Sequence, residues 1–199
     1  MLRRAMKAKQ SGFTLVELMF TITVLAVLLG IGVPNFRDFI RNSRLTSAAN
    51  DLLADLNLAR SEAVKRRVPV TLCKSDGVVC VKDASPFRRW IVFVDDADPA
   101  ASVNTDGNGI RDSVNEVILR DSTVSATLNA PAAGHTAIYL PSGFPAVAAN
   151  LTQVIFCDSR GTAISVGGVS AARGLTISAT GRPAVTRDKA TIDGLGGCP

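Results

Sequence analysis

Phe13-Thr14-Leu15-Val16-Glu17-Leu18-Met19-Phe20-Thr21-Ile22-Thr23-Val24-Leu25-Ala26-Val27-Leu28-Leu29-Gly30-Ile31-Gly32-Val33 is the stretch that decides the fold. Within it only Thr14, Glu17, Thr21 and Thr23 are polar. Its length matches the roughly 20 apolar residues a helix needs to cross a bilayer. Met1 to Gln10 carry Arg3, Arg4, Lys7 and Lys9 and no acid. That bias holds a leading segment in the cytoplasm.

A secretory signal peptide shares the basic start and the apolar centre. Here the apolar run is about twice the usual signal core. No small-x-small cleavage site follows it, and Gly30-Ile31-Gly32 is the nearest sequence of that kind. Glu17 also needs a reason. An acid at mid-membrane costs about 2.5–3.5 kcal/mol on insertion scales, less near a helix end, so such a residue marks a function and a partner.

Gly12-Phe13-Thr14-Leu15-Val16-Glu17, between a basic leader and an apolar span, resembles the processing site of type IV prepilins and pseudopilins. The resemblance implies cleavage after Gly12 by prepilin peptidase and N-methylation of the new terminus at Phe13. It implies that Glu17 pairs with the terminal amine of a neighbouring subunit during assembly. The chain then divides into a leader peptide (1–12), a transmembrane helix (13–34), an amphipathic continuation (35–67) and a β-rich periplasmic domain (68–199). A single pass through the inner membrane would leave that domain in the periplasm.

Composition agrees with this topology. Lys and Arg number 22 against 17 Asp and Glu, for a formal charge of +5. Four of the basic residues sit before Gly12, so the rest of the chain is close to neutral. The high pI is therefore a topology signal rather than a sign of nucleic acid. Locally, Asp95 to Asp121 is acidic, while Asn35 to Arg67 and Cys157 to Pro199 are mildly basic.

Cys73, Cys80, Cys157 and Cys198 all follow the span, on the oxidising side. Four cysteines allow three pairings. The short Cys73–Cys80 separation favours that pair, which leaves Cys157–Cys198 to tie the tail to a strand. Zinc would compete for the same thiols, but there is no CxxC and His135 is the only histidine. The same scarcity argues against a Cys-His or Ser-His catalytic set. No cofactor is expected, and the chain reads as non-enzymatic.

After Pro34 the helical pattern resumes. Leu45, Ala49, Leu52, Leu56, Ala59 and Ala63 recur at three and four residues. Arg41, Arg44, Asp51, Asp55, Arg60, Glu62, Lys65 and Arg66 are assigned to the opposite, solvated face. One long helix kinked at Pro34, roughly 80 Å at 1.5 Å per residue, is predicted for Phe13 to Arg66. Strands are predicted at 70–73, 78–81, 90–94, 116–120, 136–140, 153–157 and 175–179, separated by turn residues. The fold class is α+β: the membrane and packing helix, then an antiparallel sheet or sandwich.

Ser61-Glu62-Ala63, Trp90-Ile91-Val92-Phe93-Val94-Asp95 and Asn108-Gly109-Ile110-Arg111-Asp112, with Glu116 to Arg120 after them, resemble the GspH/FimT family of minor pilins and pseudopilins. The resemblance implies a helix packed on β-sheets and a subunit at or near a filament tip. Other pilin subunits, prepilin peptidase and the inner membrane would be its partners. A minor pseudopilin of type II secretion and a DNA-uptake receptor subunit are the alternatives.

Two polar constellations stay open at this point. Asn104, Asp106, Asn108 and Asp112, with Gly109, resemble the first part of a calcium loop, but Asn115 stands where a bidentate glutamate belongs. A polar turn explains the same residues. Gly181-Arg182-Pro183-Ala184-Val185-Thr186-Arg187-Asp188-Lys189 resembles the basic segment that binds DNA in the FimT branch. Arg182 and Arg187 would lead, helped by Lys189, Arg173 and Arg160, through phosphate contacts without sequence readout. The segment departs from the tighter Gly-Arg-x-Arg pattern, and no aromatic residue follows Phe156 to stack a base. A solvated tail or a subunit interface is the alternative.

Overall fold

The computed structural model describes residues 12–83, 85–96, 107–111, 116–165 and 167–198. Helix α1 runs Leu15–Arg66 without interruption, with Pro34 inside it. The chain clusters into two units, Met1–Ile40 and Arg41–Pro199.

In the first unit every described residue is exposed. The Thr14 hydroxyl caps the helix by accepting the Glu17 amide at 3.2 Å. Thr21 and Thr23 donate back to the carbonyls of Leu18 and Met19, both at 2.8 Å. Those hydroxyls are satisfied within the helix, as a lipid environment demands.

In the second unit α1 supplies a fully buried stripe of Leu45, Ala49, Leu52, Leu56, Ala59 and Ala63. One antiparallel sheet contains β1 (Val70–Lys74), β2 (Arg89–Val94), β3 (Ile118–Thr123) and β5 (Thr136–Tyr139), in the order β3-β2-β1-β5. The other contains β4 (Ala132–Ala133), β6 (Gln153–Phe156), β7 (Arg173–Ile177) and β8 (Pro183–Thr186), in the order β4-β6-β7-β8. A short helix, α2, spans Lys189–Gly194.

Strand alternation sorts the core. Leu72, Trp90, Val92, Val154, Phe156 and Leu175 join the helix stripe in one cluster. The intervening Cys73, Ile91 and Phe93 pack with Cys80 and Ile118 on the outer side of the first sheet. Ile155, Cys157 and Ala172 pack with Ile192, Leu195 and Cys198 from the C-terminal segment. Each sheet thus has both faces covered, and each outer cluster contains a disulfide.

Cys73 is bonded to Cys80 and Cys157 to Cys198, across 7 and 41 positions. Loop closure assigns about 2 kcal/mol to the short bridge and about 4 to the long one. Cys157→Ser is therefore expected to lower the melting temperature by roughly 8–16 °C. Peptide mapping without reductant should recover the same two pairs. A Cys80–Cys157 peptide would overturn the connectivity.

Four expectations need correction. Val78 to Val81 is not a strand. Both edges of β1 are taken, by β2 and β5, which leaves only a Ser75–Cys80 bridge. The Asp76 carboxylate also accepts the Val78 and Val79 amides at 3.0 and 3.1 Å, a turn that competes with a ladder. Second, the 116–120 strand starts later, at Ile118, because the pairing with β2 shifts register between Val92 and Phe93. Third, residues after Arg182 form no loose basic tail. Pro183 opens edge strand β8, where its missing N–H is tolerated. Asp188 caps α2, accepting the Thr191 amide at 2.7 Å and its hydroxyl at 2.6 Å. Fourth, Asp55 is buried in the core stripe rather than solvated.

Candidate assembly helix and basic faces

The predicted processing and assembly residues lie together at the start of the first unit. Gly12 precedes the helix, with nothing within 4 Å of the place a Cβ would take. Phe13 is 79% exposed. Glu17 lies in the first turn of α1, where a negative charge complements the helix dipole. Leu18, Met19, Phe20, Ile22, Leu25 and Leu28 stand exposed beyond it. This half of the helix presents an apolar surface in every direction. Lipid or a bundle of like helices can cover such a surface.

The other half of α1 is held by a polar clasp. The Asp55 carboxylate accepts the Trp90 indole N–H at 2.8 Å and the Ser122 hydroxyl at 2.6 Å, and Arg120 lies 3.4 Å away. Trp90 is itself fully buried. The clasp therefore ties the helix to β2 and β3. A second clasp uses Asp95, which accepts the Thr71 hydroxyl at 2.5 Å and the Gly109 amide at 2.8 Å. Gly109 has φ 76°, and a Cβ there would meet Ile138 and Thr136 at 2.9 Å. This gives the Trp90–Asp95 and Asn108–Asp112 resemblance a structural meaning. The motif fastens the end of β2 to the loop that follows.

For the calcium reading, Asn104, Asp106 and Asp112 lie outside the described residues. Asn108 forms an Asx turn, its side-chain oxygen accepting the Ile110 amide at 2.7 Å.

The proposed DNA residues do not form one face. Arg182 and Arg187 are exposed but flank opposite ends of β8, roughly 16 Å apart at the strand rise. Gly181, φ 75°, gives its carbonyl to the Tyr139 hydroxyl at 2.9 Å. A Cβ at that glycine would sit 2.8 Å from the Tyr139 ring. The Gly-Arg pair therefore has a structural reason to exist. Lys189 pairs with Asp193 at 2.5 Å on α2. Arg173 is only 2% exposed and donates to the carbonyls of Ala171 and Ala172 at 2.8 and 3.1 Å. It is a structural arginine, and its expected phosphate contact is withdrawn. Burial first, then the charges of Arg187 and Arg160, push its pKa down to about 10.

A cleft of about 410 Å³ is lined by Lys74, Asp83 and His135, among others. The buried Lys74 ammonium pairs with the Asp83 carboxylate and donates to the Ser85 carbonyl at 2.6 Å. Its hydrogen bond holds Asp83 down to about 2. Burial, with the nearby Lys82 and Lys74 charges, keeps His135 below its ordinary value. Lys74 thus straps down Asp83 and Ser85.

Known proteins share parts of this sequence. The prokaryotic N-terminal methylation motif matches residues 7–33. The type IV major fimbrial protein FimA of Dichelobacter nodosus is 30% identical over 114 residues, 52% of this chain and 65% of that protein. The type IV major alpha-pilin of Moraxella bovis is 33% identical over 61 residues, 31% of this chain and 38% of that one. The chain therefore spans less than two thirds of these relatives. The crystal structure of the type IV minor pilin FimU of Pseudomonas aeruginosa is 23% identical, covering 74% of this chain and 92% of that one at a TM-score of 0.44. The profile of the family described as type II transport protein GspH matches residues 48–181, from the middle of α1 through the turn before β8. The chain belongs to the GspH family, with a pilin-type methylation motif at its N-terminus.

Proposed function

We propose that this chain is a minor type IV pilin, a structural subunit and not an enzyme. Prepilin peptidase cuts it after Gly12, and Phe13 is then N-methylated. Residues 13–34 hold it in the inner membrane, with residues 68–199 in the periplasm. It then enters a filament at or near the tip and primes assembly.

One observation carries this reading. A single helix has an apolar, uncovered first half with an acid in its first turn, and a second half sealed into a disulfide-closed domain. The first half is built to exchange lipid for neighbouring helices. Glu17 gains from that exchange when a cationic terminus lies beside it.

A minor pseudopilin of type II secretion uses the same processing and the same helix, and the family description favours it. A DNA-receptor role would rest on Arg182 and Arg187, at opposite ends of β8.

Mass spectrometry of sheared surface filaments tests the proposal. An N-methylated peptide beginning at Phe13 is expected in the pilus fraction. A processed chain that stays in the membrane, with pili intact and secretion lost on deletion, would move the assignment to the pseudopilus. A filament-borne chain that still begins at Met1 would defeat both readings.

A further inference from the structure

We propose that the arginine-lined cleft at the start of the Arg41–Pro199 unit binds the phosphate of an anionic phospholipid headgroup. Arg41 and Arg44 from α1, with Thr127, Leu128, Asp158 and Ser159, line a cleft of about 280 Å³. Its carboxylate is already engaged. Arg160 holds Asp158 with Nε at 3.1 Å from both oxygens and Nη2 at 2.6 Å from one. Arg160 also donates to the Asn42 side chain at 3.0 Å, which fixes the 158–160 turn against α1. Buried Arg173 donates to the Thr46 hydroxyl at 3.2 Å, one turn further along the same helix. Arg41 lines the same cleft as Asp158, and its charge helps hold that carboxyl down.

Arg41, Arg44 and Arg160 thus meet around Asp158. Asp51 shares a neighbouring cleft with Arg44, and the Asp188 carboxylate is turned toward Thr191. Each guanidinium carries five N–H donors, so Arg41 and Arg44 on the cleft wall can take a bound anion in addition to the contacts they already make. Guanidinium groups present forked donors that match phosphate oxygens.

The position selects the source of the phosphate. The apolar run ends at Val33, and Arg41 follows after at most roughly 28 Å of fully extended chain. The connecting segment carries Phe36 and Phe39, 63% and 67% exposed, with ring centroids 6.4 Å apart. Apolar rings followed by arginines suit the membrane–water boundary. A DNA duplex brought to the same place would meet the negative charge of the lipid surface itself. This inference rests on the membrane residence proposed above.

The test uses the full chain in nonionic detergent, with lipid retention read by native mass spectrometry. Palmitoyl-oleoyl phosphatidylglycerol should be retained in preference to the phosphatidylcholine analogue. Arg41→Gln with Arg44→Gln should weaken that retention by about thirtyfold, the scale of two basic residues at an anionic surface. Arg41→Lys with Arg44→Lys should restore much of it, and Arg182→Gln should leave it unchanged. Recovery of both disulfides in each variant checks folding.

Equal retention of the two lipids, or wild-type retention by the double Gln variant, overturns the proposal. Displacement by millimolar inorganic phosphate makes the site a free-anion site, and displacement by duplex DNA makes it a nucleic-acid site. Flotation with phosphatidylcholine vesicles separates the two layers of the argument. A chain that fails to float loses the membrane reading and this inference together. A chain that floats without headgroup preference loses only this one.

Discussion

Gly12→Ala is expected to leave the leader uncut and to remove the subunit from filaments. Glu17→Ala is expected to be cut normally and still to assemble poorly. The two failures separate because the residues do different work. No heavy atom lies within 4 Å of the Cβ that alanine would add at Gly12. The substitution therefore cannot disturb the fold, and a loss of cleavage reports on the peptidase alone. Glu17 lies in the first turn of the helix, and its own amide is capped by Thr14 rather than by its side chain. Alanine keeps that cap and the helix, and removes only the carboxylate. In a filament that leaves a neighbouring terminal amine buried without a partner, a loss of about 3–5 kcal/mol. Incorporation should fall on the order of a hundredfold or more. Intact mass of the membrane fraction reads cleavage, and immunoblots of sheared filaments read incorporation. A mature terminus at Phe13 in Gly12→Ala would refute the requirement for glycine at the cleavage site. Wild-type incorporation of Glu17→Ala would remove the pairing argument.

The parts of this fold that were legible in the sequence are those written locally. The apolar run and the repeat from Leu45 to Ala63 predict one helix, because neither depends on a distant partner. Strands such as Trp90–Val94 are legible because β-branched and aromatic residues crowd a short run. The disulfide framework follows from cysteine separation.

What was misread depends on pairing over distance. Val78 to Val81 has strand composition, but β1 has no edge left to offer it. Strand β8 is short, begins with proline and is fixed only by its register with β7. Arg173 carries a charge and was assigned to the surface. It opens β7 beneath a shell of backbone carbonyls that satisfies its guanidinium. Arg182 and Arg187 look like neighbours in sequence, yet a strand separates them.

Asp55 was misread for another reason. It lies three residues after Leu52 and four before Ala59, inside the apolar stripe. Spacing puts it in the core, whereas its charge points to the solvated face.

Asp55→Ala should accordingly be strongly damaging to the Arg41–Pro199 unit. It leaves the buried Trp90 N–H and the Ser122 hydroxyl without their acceptor, and Arg120 without its counter-ion. A broken buried polar pair, with a small cavity, costs about 3–5 kcal/mol. The melting temperature should fall by about 10 °C or more. Asp55→Asn keeps an oxygen for the indole and loses only the ion pair with the exposed Arg120 arm, so about 1 kcal/mol is expected. Trp90 is the single tryptophan in the chain, so its fluorescence reports the clasp directly. Trp90→Phe in the Asp55→Ala background should add much less than it does alone, because the two side chains share one interaction. A melting temperature within about 3 °C of wild type for Asp55→Ala would show that the clasp contributes little. Processing supplies a final discrimination. Gly12 belongs to the other unit, so Asp55→Ala should still be cut and fail only later, when a loosened domain is carried into a filament by its helix.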